Sequence, residues 1–210
     1  MTATVTKERF VRLDDLAVEA ESPRQGSEKR LFTFDKSLES IEARGLQRHL
    51  RPYEAFRILI DAIKNPNSKY KSIKEDMLSS YGEWLSLAVI TNKDRLTTYD
   101  DPSNLLFKDG EYLVRGKKLK HTGERTFTIP KGFEAGGFIP LEELPKDLAT
   151  FLYSRPANRL PVEIRSNAGI YMPGEGILRP CGRGDDFVDF PVVFGGGFDY
   201  GASRGVRARK

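Results

Sequence analysis

The chain has 210 residues, enough for one sizeable domain or two small ones. It is 39% hydrophobic and 30% charged with a mean hydropathy of -0.48, which excludes a disordered chain and indicates a globular one on the polar side. A net charge of +4 and a pI near 9.1 admit an anionic partner without requiring one.

Cys181 is the single cysteine, and His49 and His121 are the two histidines. An internal disulfide is impossible, and a Cys/His zinc site is not expected. No apolar run approaches the roughly 18 residues that span a bilayer, and the opening MTATVTKERFVRLDD has no apolar signal core. The expectation is a soluble cytoplasmic protein with no membrane partner and no cofactor.

In chain order, residues 1–30 carry many charges and few large apolar groups, and read as a flexible or docking segment. Phe10, Val11, Leu13, Leu16 and Val18 form its one candidate element, and residues 19–30 a linker. An α+β domain is expected over 31–194. Ser37 can cap a helix with Leu38, Ile41, Leu46 and Leu50 on one side. Pro52 lacks an N–H, so it ends that helix and suits the first turn of the next. Tyr53, Phe56, Leu59, Ile60 and Ile63 then recur at helical spacing until Asn65-Pro66-Asn67. Ser72-Ile73-Lys74-Glu75 has the capping-box pattern. Ile73, Met77, Tyr81, Trp84, Leu85 and Ala88 follow at steps of three and four, which predicts a third helix. It would bury Trp84 against Phe56, Ile60, Met77 and Tyr81. The helical part then covers about 37–90.

Beyond it the period changes. Arg95–Tyr99, 111–115 and 125–129 read as strands, with turn signals at Lys108-Asp109-Gly110 and His121-Thr122-Gly123. Glu142-Glu143 suits the first turn of a helix over 141–154, interrupted or delayed by Pro145. Val162–Arg165, 169–172, 177–179 and 187–194 again read as strands, which makes 95–194 the β-rich part. Helices first and strands after predict an α+β fold, with the N-terminal helical part packed on or beside a mostly antiparallel β region and flexible termini. Residues 195–210 read as a Gly/Arg-rich basic tail.

Two stretches collect positive charge. Residues 114–125 hold Arg115, Lys117, Lys118, Lys120 and Arg125 against one acid, Glu124. At a hairpin tip these would release counterions from phosphates, or would blunt an exposed β edge. The tail begins at Gly195-Gly196-Gly197 and offers Phe198 and Tyr200 to stack on bases. Its Arg204, Arg207 and Arg209 would pair with phosphates; the other reading is an unstructured end. Asp185, Asp186 and Asp189 in GRGDDFVD are enough carboxylate for a divalent cation, or a polar turn before a strand. Residues 131–140, KGFEAGGFIP, read as a structural turn, because Gly137 is followed by Phe138 and not by the Lys-Ser/Thr of a phosphate loop. His49, beside Arg48 and Arg51, reads as a surface residue near a helix end.

The expected function is a nucleic-acid-binding module for RNA or DNA, a small non-catalytic subunit of a larger nucleoprotein assembly with other protein subunits. The alternatives are a metal-dependent phosphodiesterase built on the Asp cluster, and a structural subunit of a virion or filament.

Overall fold

Alternating apolar residues in FVRLDDLAVE make a hairpin. Strand β1 (Phe10–Leu13) pairs antiparallel with β2 (Leu16–Glu19), and the polar Asp14 takes the positive φ of 50° at the turn. The computed structural model describes residues 9–22, 32–78, 82–99, 105–108, 111–114, 125–133, 135–165, 168–185, 191–194 and 203–208. Three helices follow the hairpin: α1 (Phe34–Ala43), α2 (Pro52–Lys64) and α3 (Lys71–Leu78), with the short strand β3 (Arg48–His49) between the first two. Then come β4 (Glu83–Asn92), β5 (Arg95–Tyr99), β6 (Leu105–Lys108), β7 (Glu111–Val114), β8 (Arg125–Thr128) and β9 (Phe138–Pro140). Helices α4 (Lys146–Tyr153) and α5 (Val162–Arg165) precede β10 (Gly169–Tyr171), β11 (Leu178–Asp185), β12 (Pro191–Phe194) and β13 (Gly205–Ala208). The fold is α+β. Among the described residues no helix is long and apolar enough to cross a membrane.

The strands form a seven-stranded sheet in the order β8-β5-β4-β11-β12-β10-β9, a four-stranded sheet β1-β2-β13-β3, and the hairpin β6-β7. Among the described residues the strands pair antiparallel except β10 with β12. The segment expected to be a tail thus contributes an inner strand. In the small sheet, Val18 lies opposite both Val11 and Val206, so these three share a face. That face enters the main core with Phe56 and Leu59 of α2. The other face is partly covered by α1. Gly205 is required there, because a Cβ would collide with Leu46 and Ile41 side-chain methyls.

The predicted third helix stops short. Helix α3 ends at Leu78, Gly82 takes a φ of 139°, and Glu83 begins β4. The run WLSLAVI is apolar on every residue but Ser86 because β4 is buried on both faces, and a helical period fits such a run by coincidence. Leu85, Leu87 and Val89 face the main core. Trp84 and Ala88 face a second cluster with Phe34 and Leu178. Trp84 is buried as expected, but against different neighbours. Its ring meets Phe34 edge-on at 5.2 Å and its Nε1–H donates to the Phe32 carbonyl at 2.8 Å. Two further expectations change. Helix α1 starts at Phe34 with Thr33 before it, so Ser37 lies inside it. Val162–Arg165 is a helical turn after Pro161, whose carbonyl accepts the N–H of Ile164 and Arg165; local proline geometry overrides the β-branched propensity. Helix α2 starts at Pro52 as expected, and 141–154 divides at Pro145 into a 3-10 turn and α4.

One ionic knot joins the two ends of the chain. Arg204 has no exposed surface. Its Nε donates to Glu83 at 3.1 Å, its Nη2 to Asp76, and its Nη1 to the Glu19 carbonyl. Ser22 adds a hydroxyl donor to Glu83 and an N–H donor to Asp76 at 2.8 Å. Glu19 accepts the Gly205 N–H at 2.9 Å and pairs with Arg44 at 3.2 Å. The expected phosphate role of Arg204 is therefore corrected: its donors are spent on two carboxylates and a backbone carbonyl of the protein itself.

Substituting Arg204 by Met should destabilise the fold by about 3–5 kcal/mol, since Glu83 and Asp76 lose their cation away from water. Denaturant titration with matched m-values measures this, and a loss under 1 kcal/mol would refute the assigned role. Trp84→Phe should retain the packing against Phe34 yet lose about 1–3 kcal/mol, because the buried Phe32 carbonyl loses its donor. Trp84→Ala should lose more, about 3–5 kcal/mol. Equal losses in the two variants would mean that the hydrogen bond contributes nothing.

Candidate anionic-ligand cleft

Three segments distant in sequence meet around a cleft of about 740 Å³. The first is the start of α2. Arg51 precedes Pro52 in extended conformation, and its N–H donates to Glu54 at 2.8 Å. Glu54 is held by both terminal nitrogens of Arg48 at 2.7 Å. This fixes the backbone from which Arg51 and Tyr53 reach the cleft, and Arg51 donates to the Tyr53 hydroxyl at 3.3 Å.

The second segment is β8, where Arg125 and Phe127 are two residues apart and so share a face. Phe127 is buried in the main core and Arg125 is exposed above it. The third is α4. Leu148, Ala149, Leu152 and Tyr153 turn inward. Tyr153 stacks on Phe56 at 4.2 Å, and its hydroxyl donates to the Gly169 carbonyl at 2.6 Å. That anchor leaves Lys146, Asp147, Thr150, Phe151 and Ser154 on the cleft side. Phe151 lies 5.4 Å from Phe127, and the Arg125 guanidinium lies over the Phe151 ring at 4.8 Å.

The lining thus carries three cations, Arg51, Arg125 and Lys146, against one carboxylate, Asp147. Asp147 already accepts the Leu148 N–H at 2.9 Å. The result is a positive cleft with an aromatic floor, open to an anion that also carries a flat apolar part. Stacking uses the face of the Arg125 guanidinium and leaves its in-plane donors for a bidentate acceptor.

Of the residues singled out from sequence, Arg125 lines this cleft. Arg204 lies in the buried ionic knot. Arg207 is exposed on β13, stacked over Phe10 at 4.3 Å. Arg115, Lys117, Lys118, Lys120, Phe198, Tyr200 and Arg209 lie outside the described residues. So do Asp186 and Asp189, while Asp185 ends β11 opposite Pro191. Among the described residues no group of three or more His, Cys, Asp or Glu is placed to hold a metal. Gly132 and Gly136, both at positive φ, form turns before β9, as the 131–140 segment suggested. Sequence reasoning missed Arg51, Lys146 and Phe151. Their one signal is that Arg51 and Lys146 each adjoin a helix-starting proline, Pro52 and Pro145.

His49 is also corrected, from the surface to the interior. It sits on β3 with 1% exposure, and its Nε2 meets the Ser37 hydroxyl at 2.5 Å. Burial, with Arg44 and Arg48 adding repulsion, pushes its pKa down to about 3 against a weaker opposing pull from Glu83. A serine–histidine contact can generate a nucleophile, but this one is sealed from any substrate. Comparison with family models, curated proteins and solved structures found no match for this chain.

The neutral, buried His49 makes stability depend on pH. Its folded pKa lies below the ordinary value of 6.5, so its contribution is complete above pH 6.5 and is lost as pH falls toward 3. Between pH 7 and pH 5 it should remove about 2 kcal/mol. Glu19, whose pKa burial raises, acts in the opposite direction. Comparing wild type with His49→Gln isolates the histidine. Urea titrations at the two pH values should show the wild type losing more stability than the variant, and equal losses would contradict the assignment.

Proposed function

We propose that this protein is a nucleic-acid-binding module, a small non-catalytic subunit of a cytoplasmic nucleoprotein assembly. The cleft between α2, β8 and α4 is where it meets the nucleic acid. The observation that carries the reading is Arg125 stacked on Phe151 in a cleft that Arg51 and Lys146 also line. Phosphates would pair with the three cations and release their counterions. A base or sugar would lie against the aromatic floor, where stacking contributes about 1–3 kcal/mol. In the sequence, Arg125 is also the last residue of the basic run that begins at Arg115.

A duplex is too wide and too rigid to place a base in such a cleft, which favours single strands. The test is anisotropy of a labelled mixed-sequence single-stranded oligonucleotide at two salt concentrations. Arg125→Ala with Lys146→Ala should weaken binding at low salt by at least tenfold. It should also flatten the salt slope by about 1.4, at 0.7 for each lost phosphate contact. Wild-type affinity and slope in a folded double variant, or no binding by the wild type, would overturn the reading.

A further inference from the structure

The four-stranded sheet carries a second basic surface, remote in sequence from Arg125. Arg12 on β1 lies opposite Ala17 on β2, and Ala17 lies opposite Arg207 on β13. The three therefore form one row across adjacent strands on one face. Two interstrand spacings separate the arginines, roughly 10 Å between backbones. The small Ala17 between them is half-buried. Phe10 lies two residues before Arg12 and so shares that face. Its ring is met by Arg207 at 4.3 Å and by Arg9 at 5.2 Å. Helix α1 covers the same face only at the other end, where Ile41 and Leu46 close on Gly205. At the open end Arg9, Arg12 and Arg207 are exposed.

Two acids of the hairpin, Glu19 and Asp14, already have partners of their own. Glu19, opposite Phe10, is 3% exposed, carries Arg44 and the Gly205 N–H, and lies 3.9 Å from an Arg9 terminal nitrogen, so it offsets part of the Arg9 charge but not that of Arg12 or Arg207. Asp14, at the hairpin turn, is paired with Arg57 through both carboxylate oxygens. The Arg12 Nε donates to the Asp14 carbonyl at 3.1 Å, which holds the side chain beside the row. After Arg207 the sequence continues through Arg209 and Lys210, with no acid beyond Asp199.

We infer that the Arg12–Ala17–Arg207 row, with Arg9 held against Phe10, is a second contact for the phosphodiester backbone of a single-stranded nucleic acid. The inference rests on the function proposed above. It adds that the protein holds a strand at two places. Guanidiniums suit phosphate because their planar donors bind it bidentately, and stacking on Phe10 limits the freedom that Arg207 and Arg9 lose on binding. Ala17 has no polar group, so the row reads charge and not base identity.

Ala17 allows a test that touches neither arginine. Ala17→Glu places a carboxylate between the two guanidiniums, and Ala17→Gln has the same size without charge. With a 30-nucleotide single strand, Ala17→Glu should weaken binding at least fivefold and flatten the salt slope by about 1.4 relative to Ala17→Gln. Ala17→Gln should bind as wild type. Arg12→Gln, on the edge strand, is the second variant should Ala17→Glu fail to fold, and should flatten the slope by about 0.7. If both row variants keep wild-type affinity and slope while Arg125→Ala loses binding, the second contact is wrong and the cleft stands. If the wild type binds no single strand, both readings fall. If polyglutamate of matched charge binds as tightly and responds equally to Ala17→Glu, the surface serves acidic protein and the inference is overturned.

Discussion

A guanidinium without exposed surface has to be matched where it sits, and Arg204 is matched by groups from three places in the chain. Glu19 supplies a carbonyl from β2, Asp76 a carboxylate from α3, and Glu83 a carboxylate from the start of β4. Ser22 bridges the last two. The Coulomb attraction in such a site is large, but so is the penalty of taking each ion out of water. The knot is therefore better understood as a specifier than as a source of net stability. Wrong placement of β13 would leave three desolvated charges unpaired, a state far above the correct one.

That constraint sets the topology of the small sheet. Strand β13 lies between β2 and β3, with the chain's early strands on both sides. The sheet cannot be completed until residues almost 190 positions apart meet, as in the bond from Gly205 to Glu19. Loop-closure entropy makes such contacts late and slow. Helix α1 depends on the same event, because its far end and Leu46 pack on the bare backbone of Gly205. The buried Ser37–His49 contact then ties α1 to β3, the other neighbour of β13.

What was legible in the sequence follows from how local its cause is. Helix α2 is written in its own residues: a proline for the first turn, apolar residues at steps of three and four, and Asn65 at the end. Strand β5 was equally plain, alternating between turn residues. Trp84 was readable as buried but not as a strand residue, because a strand covered on both faces loses the alternation that identifies one. The charged residues were the least legible. Arg204 and Arg207 look alike in sequence, and an odd separation in extended chain sends them to opposite sides. One meets carboxylates from residues 76 and 83, which nothing near residue 204 announces. The cleft was hidden for the same reason, since Arg51, Arg125 and Lys146 converge only through the packing of α2 and β8 with α4.

The segregation of charge that results has a consequence for binding. Cations with buried carboxylate partners fix the fold, and their field beyond the surface is largely cancelled by those partners. Arg204, Arg44 and Arg48 belong to this group, with Glu83, Glu19 and Glu54. The formal excess of +4 is thus carried outward by a different set, including Arg125 and Lys146 at the cleft and Arg12 and Arg207 on the sheet. Exposed charges are screened over about 8–10 Å at physiological salt, so an anion feels mainly the surface it touches. A small anion would feel one of them. A flexible polyanion can engage both, and the second contact then forms at the high effective concentration that the first one creates. Under the proposed function, modest attraction at each surface would become appreciable affinity only for a ligand long enough to reach from one to the other, and that length dependence, more than net charge, would separate a strand from a loose phosphate.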